Sequence, residues 1–259
     1  MTDSLYIAAS GMHAQQTNLD VIANNLANIN TMGFKKSRVD FEDLMYREIA
    51  RANGLVGDQS NRNPAGVGTG IASTSKVFTV GDVKKTERNL DVMVQGNGFF
   101  EVLMPDGEYG YTRNGSFQVD KDGMLVTPDG YVLSSMIQLP DNMEDIVINT
   151  DGTVKVKVVG EDQLSEIGKI ELAKFVNSAG LQPIGDNTYL PSEQSGNAIY
   201  TTPGEDGVGM LTQGFLETSN VKMVEELTNM VLAQRAYEIN SKVIQASDEM
   251  LGIINNLRR

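Results

Sequence analysis

The sequence predicts an α+β protein in which a long helix at each end of the chain frames a central all-β region of the sandwich or barrel type. Both ends are poor in glycine and carry apolar residues at intervals of seven, the spacing of a helix that packs on another helix. The middle instead has many short apolar runs separated by glycine-containing turn sequences. Each stripe therefore predicts a helix that packs against another helix, and a chain with such a helix at each end is interpreted as a building block.

The N-terminal helix is predicted from about Ser4 to Ile29, with Ala8, Ile22 and Ile29 beside its apolar stripe. The stripe itself consists of Leu5, Met12, Leu19 and Leu26. The helix should end between residues 28 and 33, where asparagine and glycine favour a left-handed exit. Phe34 is expected to follow as a buried anchor.

The C-terminal helix is predicted to begin near Ser219 or Asn220 and to run almost to Arg259, with Thr218 as a further capping candidate. Its stripe has the same spacing of seven and consists of Met223, Met230, Tyr237, Ile244 and Leu251. Neighbouring apolar positions widen this stripe: Leu227, Val231, Val243, Met250, Ile254 and Leu257.

Between the first helix and the β region we expect a second short helix from Phe41 to Ala50. An extended, glycine-rich linker is predicted to follow from Asn53 to Gly70. The short basic run formed by Lys35, Lys36 and Arg38 is interpreted as a solvated turn.

The β region extends over about residues 71–215, and turn sequences divide it into short strands. The turns predicted from sequence are 105–107, 122–123, 128–130, 151–152 and 185–187, all with Asp and Gly in or beside the turn. The expected domains are a helical domain of residues 1–50 plus 217–259, a linker or stiffening segment of residues 51–70, and a β domain of residues 71–216.

Catalytic chemistry has little support in the residues. The chain has one histidine, His13, and no cysteine, so thiolate sites and disulfides are excluded and no nucleophile motif is recognisable. We predict no enzyme activity, no cofactor and no metal site. A net charge of −13 argues against a nucleic-acid binder. The sequence contains no run of about 18 apolar residues, so no membrane-spanning segment is predicted. The first 25 residues lack the pattern of a cleavable secretory signal.

Several phrases of the sequence resemble the flagellar rod and hook family of axial proteins, most closely its distal-rod type. They are Ala-Asn-Asn-Leu-Ala-Asn at 23–28, Thr-Met-Gly-Phe-Lys at 31–35, Val-Gln-Gly-Asn-Gly-Phe-Phe at 94–100, Tyr-Thr-Arg-Asn-Gly-Ser-Phe at 111–117, Glu-Thr-Ser-Asn-Val at 217–221 and Ala-Gln-Arg-Ala-Tyr-Glu-Ile-Asn-Ser-Lys at 233–242. The resemblance covers almost the whole chain, and the phrases occur in the family's order.

The resemblance implies a structural subunit of the bacterial flagellar basal body that polymerises helically into the distal rod, the stiff driveshaft from motor to hook. The resemblance also implies that the two terminal helices pair as a coiled coil and form an inner tube, with the β domain outside it. The implied partners are other copies of the chain, adjacent proximal rod proteins, the hook protein, surrounding ring proteins and the flagellar export apparatus, which would carry the chain beyond the cytoplasmic membrane. A segment at about 46–66 would correspond to one that stiffens the rod.

The resemblance also assigns the subunit-packing residues. They are Leu5, Met12, Leu19, Ile22, Asn24, Asn25, Leu26, Asn28, Leu227, Met230, Arg235, Tyr237, Asn240, Ile244 and Leu251.

Two alternatives stay open at this point. One is another axial protein of the same family, from the proximal rod or the hook. The other is a secreted β-domain binding module whose end helices merely dimerise it; in that case residues 71–215 alone would keep the activity.

Overall fold

The computed structural model describes residues 2–44, 46–49, 63–140, 142–160 and 163–257. Two α-helices occur in this described part, α1 (Thr2–Ala27) and α2 (Met223–Leu257), and every described strand and a short 3-10 turn at Ser178–Gly180 lie between them. The strands are β1 (Ser37–Asp43), β2 (Tyr46–Ile49), β3 (Asn63–Gly66), β4 (Thr69–Lys76), β5 (Val83–Lys85), β6 (Val92–Gln95), β7 (Phe100–Leu103), β8 (Tyr109–Thr112), β9 (Gln118–Val119), β10 (Leu125–Val126), β11 (Val132–Leu133), β12 (Met143–Ile148), β13 (Thr153–Val158), β14 (Leu164–Lys169), β15 (Leu172–Lys174), β16 (Gln182–Gly185), β17 (Thr188–Leu190), β18 (Ile199–Thr201), β19 (Met210–Gln213) and β20 (Phe215–Glu217). The predicted class, two terminal helices with a mostly β centre, is confirmed.

The chain forms two compact units. The first combines residues 1–26, 37–75 and 222–259, and the second combines residues 27–36 and 76–221. The first unit therefore contains α1, α2, a two-stranded β1–β4 sheet and the antiparallel pair β2–β3, in which Tyr46 lies opposite Gly66.

Within the first unit, α1 and α2 contact each other at two points. Asn25 Nδ2 donates to Glu226 Oε2 at 3.4 Å, and the position of a Cβ on Gly11 would lie 2.9 Å from Asn240 Nδ2. The two contacts are separated by the same number of residues on each helix and follow opposite chain directions. The helices are therefore antiparallel where they meet.

The second unit is built from antiparallel pairs around one main core. Its largest sheet has seven strands in the order β16-β17-β8-β7-β11-β10-β9, and β12-β13-β14 form a three-stranded sheet. Two-stranded pairs complete it: β6 with β19, β5 with β20, and β15 with β18. The fully buried core includes Val92, Phe100, Leu125, Leu172 and Leu211. Strands far apart in the chain thus share one interior.

The five turn sequences predict hairpins correctly. They connect the antiparallel pairs β7–β8, β9–β10, β10–β11, β12–β13 and β16–β17. Turn geometry is a local property of Asp, Asn and Gly, so it is legible in the sequence. Gly33 likewise has the left-handed φ of +71° expected at the exit from the first helix.

Two predictions between the first helix and the β region are wrong. The stretch 41–50 is not a second helix, because β1 extends to Asp43 and β2 covers 46–49. The sheet partner decides this: the carboxylate of Asp40 on β1 accepts hydrogen bonds from Ser73 and Ser75 of β4. Residues 63–66 and 69–70 of the predicted linker also belong to strands, while positions 50–62 lie outside the described residues.

Candidate functional site

A buried ion cluster in the second unit joins sequence phrases that lie far apart in the chain. Lys35 Nζ contacts Glu217 Oε1 at 2.5 Å and donates to the Thr79 carbonyl oxygen at 2.7 Å. Both charged side chains are essentially inaccessible, with 0% and 1% of their surface exposed. The Gly81 N–H donates to the same Glu217 oxygen at 2.8 Å. One carboxylate therefore holds two chain segments against the end of β20.

Arg113 brings two further phrases to this cluster. Its guanidinium donates to the Gly98 carbonyl at 2.7 Å and to the Gly96 carbonyl at 2.5 Å. Its Nε faces Glu217 Oε2 at 3.5 Å. Among the described residues neither of these two atoms has a hydrogen-bond partner. We call Lys35, Arg113 and Glu217 the motif junction, because four of the quoted phrases meet there.

The motif junction carries two buried cations and one buried anion. Burial lowers the pKa of Lys35 and of Arg113, and the nearby Glu217 carboxylate opposes both shifts. The Tyr189 hydroxyl also has a raised pKa, because it is buried and lies near Glu217. Glu217 is therefore the common counter-charge of the cluster, and its loss would leave two buried cations unpaired.

Asn220 forms hydrogen bonds that connect the segment after α1 with residues 77–79. Its Oδ1 accepts from the Lys36 N–H at 2.8 Å, while its Nδ2 donates to the Val77 carbonyl at 2.8 Å. Asn220 Nδ2 also donates to Thr79 Oγ1 at 2.9 Å. The predicted role of Asn220 as a helix cap is wrong, since α2 begins only at Met223.

The prediction of a solvated basic turn is wrong for Lys35, which is fully buried. Arg38 is exposed and pairs with Asp40. Sequence reasoning missed the motif junction because partners up to 182 positions apart have no local signature. The available signal was that Lys35, Arg113 and Glu217 each lie inside a family phrase.

The predicted packing residues fall on both sides of the helices. Ile22 and Asn25 are buried, Asn24, Leu227, Arg235 and Tyr237 are exposed, and the others are half-buried: Leu5, Met12, Leu19, Leu26, Asn28, Met230, Asn240, Ile244 and Leu251. The buried side chains of α2 lie at positions outside the predicted stripe and are small or polar: Glu226, Ala233 and Ser247.

Asn25 has a geometric role that its sequence phrase did not reveal. Its side-chain amide donates to the Ser37 carbonyl at 2.9 Å and accepts from the Ser37 N–H at 2.8 Å. These two bonds imitate the pairing of a neighbouring strand at the start of β1. The phrase at 23–28 therefore orders the chain where it re-enters the first unit.

A polar pocket of about 270 Å³ in the second unit includes Glu101, Ser134 and Tyr200 in its wall. The Glu101 carboxylate already accepts from the hydroxyls of Tyr200, Tyr111 and Ser134. Both oxygens of this carboxylate thus already accept hydrogen bonds from the protein itself. Within the described ranges, no cluster of three metal-ligating side chains is present. No described helix combines the length and apolar character that crossing a bilayer requires.

The structure consists of two end helices, a β core and the motif junction, and the known proteins that the chain resembles define its class, the structural axial proteins of the flagellum. Three family models match the chain: flagella basal body rod protein at residues 5–35, flagellar hook protein FlgE/F/G D1 domain at 93–156, and flagellar basal body rod FlgEFG protein C-terminal at 212–257.

Whole-length relatives carry the same family name. The chain is 47% identical to the flagellar basal-body rod protein FlgG of Borreliella burgdorferi, over 100% of both chains. It is 48% identical to that of Buchnera aphidicola subsp. Schizaphis graminum, over 99% of this chain and 100% of the relative. It is 41% identical to that of Bacillus subtilis, over 100% of both.

The chain belongs to the flagellar basal-body rod protein FlgG family. It is a structural subunit of the distal rod of the flagellar basal body and not an enzyme. The proximal-rod, hook and binding-module alternatives are not favoured.

Proposed function

We propose that the chain polymerises through its terminal helices into a helical tube that transmits torque from motor to hook. The observation that carries this proposal is an exposed apolar stripe on α2. Leu232, Ile239 and Ile253 are 62%, 61% and 59% exposed and occupy positions of one seven-residue repeat, with the exposed Ala246 at the intervening position. A helix with 3.6 residues per turn places them on one face.

This outer stripe flanks the buried residues Glu226, Ala233 and Ser247, because the two sets are offset by one residue, or about 100° around the helix axis. One face of α2 is thus directed to α1, and the flank beside that face offers apolar surface. Contiguous apolar surface of this kind marks an association site. We propose that the helices of neighbouring copies cover it.

An antiparallel coiled coil of α1 and α2 is the second part of the proposal. Its support is the common register of the Gly11–Asn240 and Asn25–Glu226 contacts. Small and polar residues in this seam permit close approach and favour one register over others. The predicted packing residues Met230, Ile244 and Leu251, half-buried in one copy, would complete the seam.

The partners are proposed in the same terms. Other copies of the chain would join heterologously, since the outer stripe of one subunit meets a different surface of the next, and such contacts produce an open helical filament. Proximal rod proteins and the hook protein would cap its two ends, ring proteins would surround it, and the flagellar export apparatus would deliver the subunits. In this arrangement the helical domain is the inner tube and the β domain is outside.

The test is complementation of a strain that lacks the chain, using Leu232→Asp. Full burial of a leucine contributes about 1.5–3 kcal/mol, so the exposed part of Leu232 would contribute about 1–2 kcal/mol per subunit. A carboxylate there loses this contribution and adds a desolvation cost. We expect truncated rods without hooks in electron micrographs and no swimming.

Gln245→Asp is the matched control, because it adds the same charge to an exposed position of α2 outside both the buried face and the outer stripe. It should restore hooks and swimming as the unchanged chain does. Normal rods with Leu232→Asp would refute assembly through the outer stripe.

A further inference from the structure

We propose that the motif junction, together with Asn220, is a positioning clamp that fixes the departure of both terminal helices from the β unit. This inference rests on the proposed function, because a driveshaft requires each helix to leave the β unit in one defined direction. It assigns a mechanical role to a buried ion cluster whose charges are otherwise unexplained.

The first step is connectivity. Residues 28–36 follow α1 directly, and residues 217–222 lead directly into α2. Lys35 and Glu217 connect these two segments by their ion pair. The backbone adds two further bonds, from the Gly33 N–H to the Glu217 carbonyl at 2.8 Å and from the Asn220 N–H to the Phe34 carbonyl at 3.4 Å.

The second step is anchorage to the rest of the second unit. Residues 77–81 make three hydrogen bonds to these segments. The Val77 carbonyl accepts from Asn220, the Thr79 carbonyl accepts from Lys35, and the Gly81 N–H donates to Glu217. Arg113 extends the connection to the loop between β6 and β7 through the carbonyls of Gly96 and Gly98. Both helix-leading segments are therefore held by the same framework.

The third step concerns the choice of charge. Replacing a buried ion cluster by apolar residues is often neutral or stabilising, so such a cluster is weak support for stability. Hydrogen bonds constrain both distance and angle, whereas the hydrophobic effect is non-directional. A cluster that connects segments 182 positions apart and whose charge is costly is better suited to fixing geometry than to adding stability.

Because two cations face one anion in the motif junction, one cation can be removed without leaving a buried charge unpaired. Such a variant separates an effect on helix positioning from an effect on folding. Lys35→Met removes one of two cations, so Glu217 and Arg113 remain as a neutral pair, and the Gly81 N–H still has its acceptor. Methionine also fills most of the lysine volume. The β unit should therefore stay folded while the segment after α1 loses its side-chain connections to Glu217 and Thr79.

The experiment compares Lys35→Met with the control Lys157→Met, whose ion pair with Glu144 is solvent-exposed. Purified full-length chains are unfolded thermally, and the same variants are expressed in the strain lacking the chain. We expect Lys35→Met to unfold within about 5 °C of the unchanged chain but to give roughly tenfold fewer hooked basal bodies, the effect of about 1.4 kcal/mol per subunit. Lys157→Met should match the unchanged chain in both assays.

A folded Lys35→Met with normal hooks and swimming would overturn the clamp. If Lys35→Met does not fold, Asn220→Asp is the variant that tests the clamp. Asn220→Asp keeps the oxygen that accepts from the Lys36 N–H and loses the N–H groups that donate to the Val77 carbonyl and to Thr79 Oγ1. Loss of hooks from the folded Asn220→Asp chain supports the clamp, and normal hooks overturn it. Unfolding of both variants also overturns it, because the cluster would then be a folding determinant only. Failure of the unchanged chain to restore rods would instead refute the proposed function.

Discussion

Gly115 lies in the phrase at 111–117, and replacing it by alanine should disrupt the core of the β unit. A Cβ at this position would lie 1.6 Å from the Val92 carbonyl oxygen and 3.2 Å from the Phe100 ring. An ordinary carbon–oxygen contact is about 3.3 Å, so the backbone of β6 must move by more than about 1.5 Å. Val92 is 0% exposed and its N–H donates to the Gly115 carbonyl at 2.9 Å.

The expected magnitude follows from three contributions. Losing a buried backbone hydrogen bond costs about 1–3 kcal/mol, and overpacking the core costs about 1–3 kcal/mol. Alanine also restricts the unfolded chain, which stabilises by about 0.4–1 kcal/mol. The steric costs exceed this gain, so we expect a net loss of about 2–5 kcal/mol in the free energy of unfolding.

The assay is thermal unfolding of the purified chain followed by circular dichroism, where this loss should lower the midpoint by about 5–15 °C. Gly252→Ala is the control, since its Cβ would meet no atom within 4 Å. In a helix interior that substitution should be neutral or stabilise by up to about 1 kcal/mol. A Gly115→Ala midpoint equal to that of the unchanged chain would refute the steric reasoning.

Three further outcomes are expected. Glu217→Ala leaves Lys35 and Arg113 as unpaired buried cations, so it should destabilise the β unit by about 3–5 kcal/mol in urea unfolding. This loss should be clearly larger than that of Lys35→Met. Equal losses would contradict the role of Glu217 as the common counter-charge of the two cations. Asn25→Ala removes both bonds to the Ser37 backbone, so hydrogen exchange of the Ser37 amide in assembled rods should accelerate, whereas Gln16→Ala on the exposed side of α1 should leave it unchanged. The Ser75 hydroxyl and other donors hold the pKa of the Asp40 carboxyl below its ordinary value of 3.8. The contribution of this carboxylate to β1–β4 pairing is therefore present above pH 3.8 and is lost as the pH falls through the lowered pKa. Asp40→Asn should remove this acid dependence of stability, and an unaltered acid-unfolding profile would contradict the prediction.

Local features of the fold were predictable from the sequence, because they depend on neighbouring residues. The two helices follow from apolar periodicity, and the hairpins follow from Asp-Gly turns. Phe34 is buried as expected, at 6% exposure. Each of these features is determined within about one turn or one hairpin of chain.

Non-local features were not predictable in the same way. β1 looked helical because Phe41 and Leu44 are three apart, but pairing with β4 determined its conformation. Short strands such as β8, with Tyr-Gly-Tyr-Thr, and β16, with Gln-Pro-Ile-Gly, contain residues that disfavour strands and are held by their partners. Lys35 was predicted to be solvated because its counter-charge, Glu217, is distant in sequence and has no local signature.

The central claim is that the outer stripe of α2 becomes buried against other copies in the rod, and a cysteine probe tests it directly. The natural chain has no cysteine, so Ile239→Cys introduces a single thiol at a position that is 61% exposed in one copy. Maleimide labelling is compared between the purified chain, isolated basal bodies and the same basal bodies after denaturation. We predict a reactive thiol in the purified chain, protection in intact rods and full labelling after denaturation. Equal labelling of the purified chain and of intact rods would contradict assembly through this face.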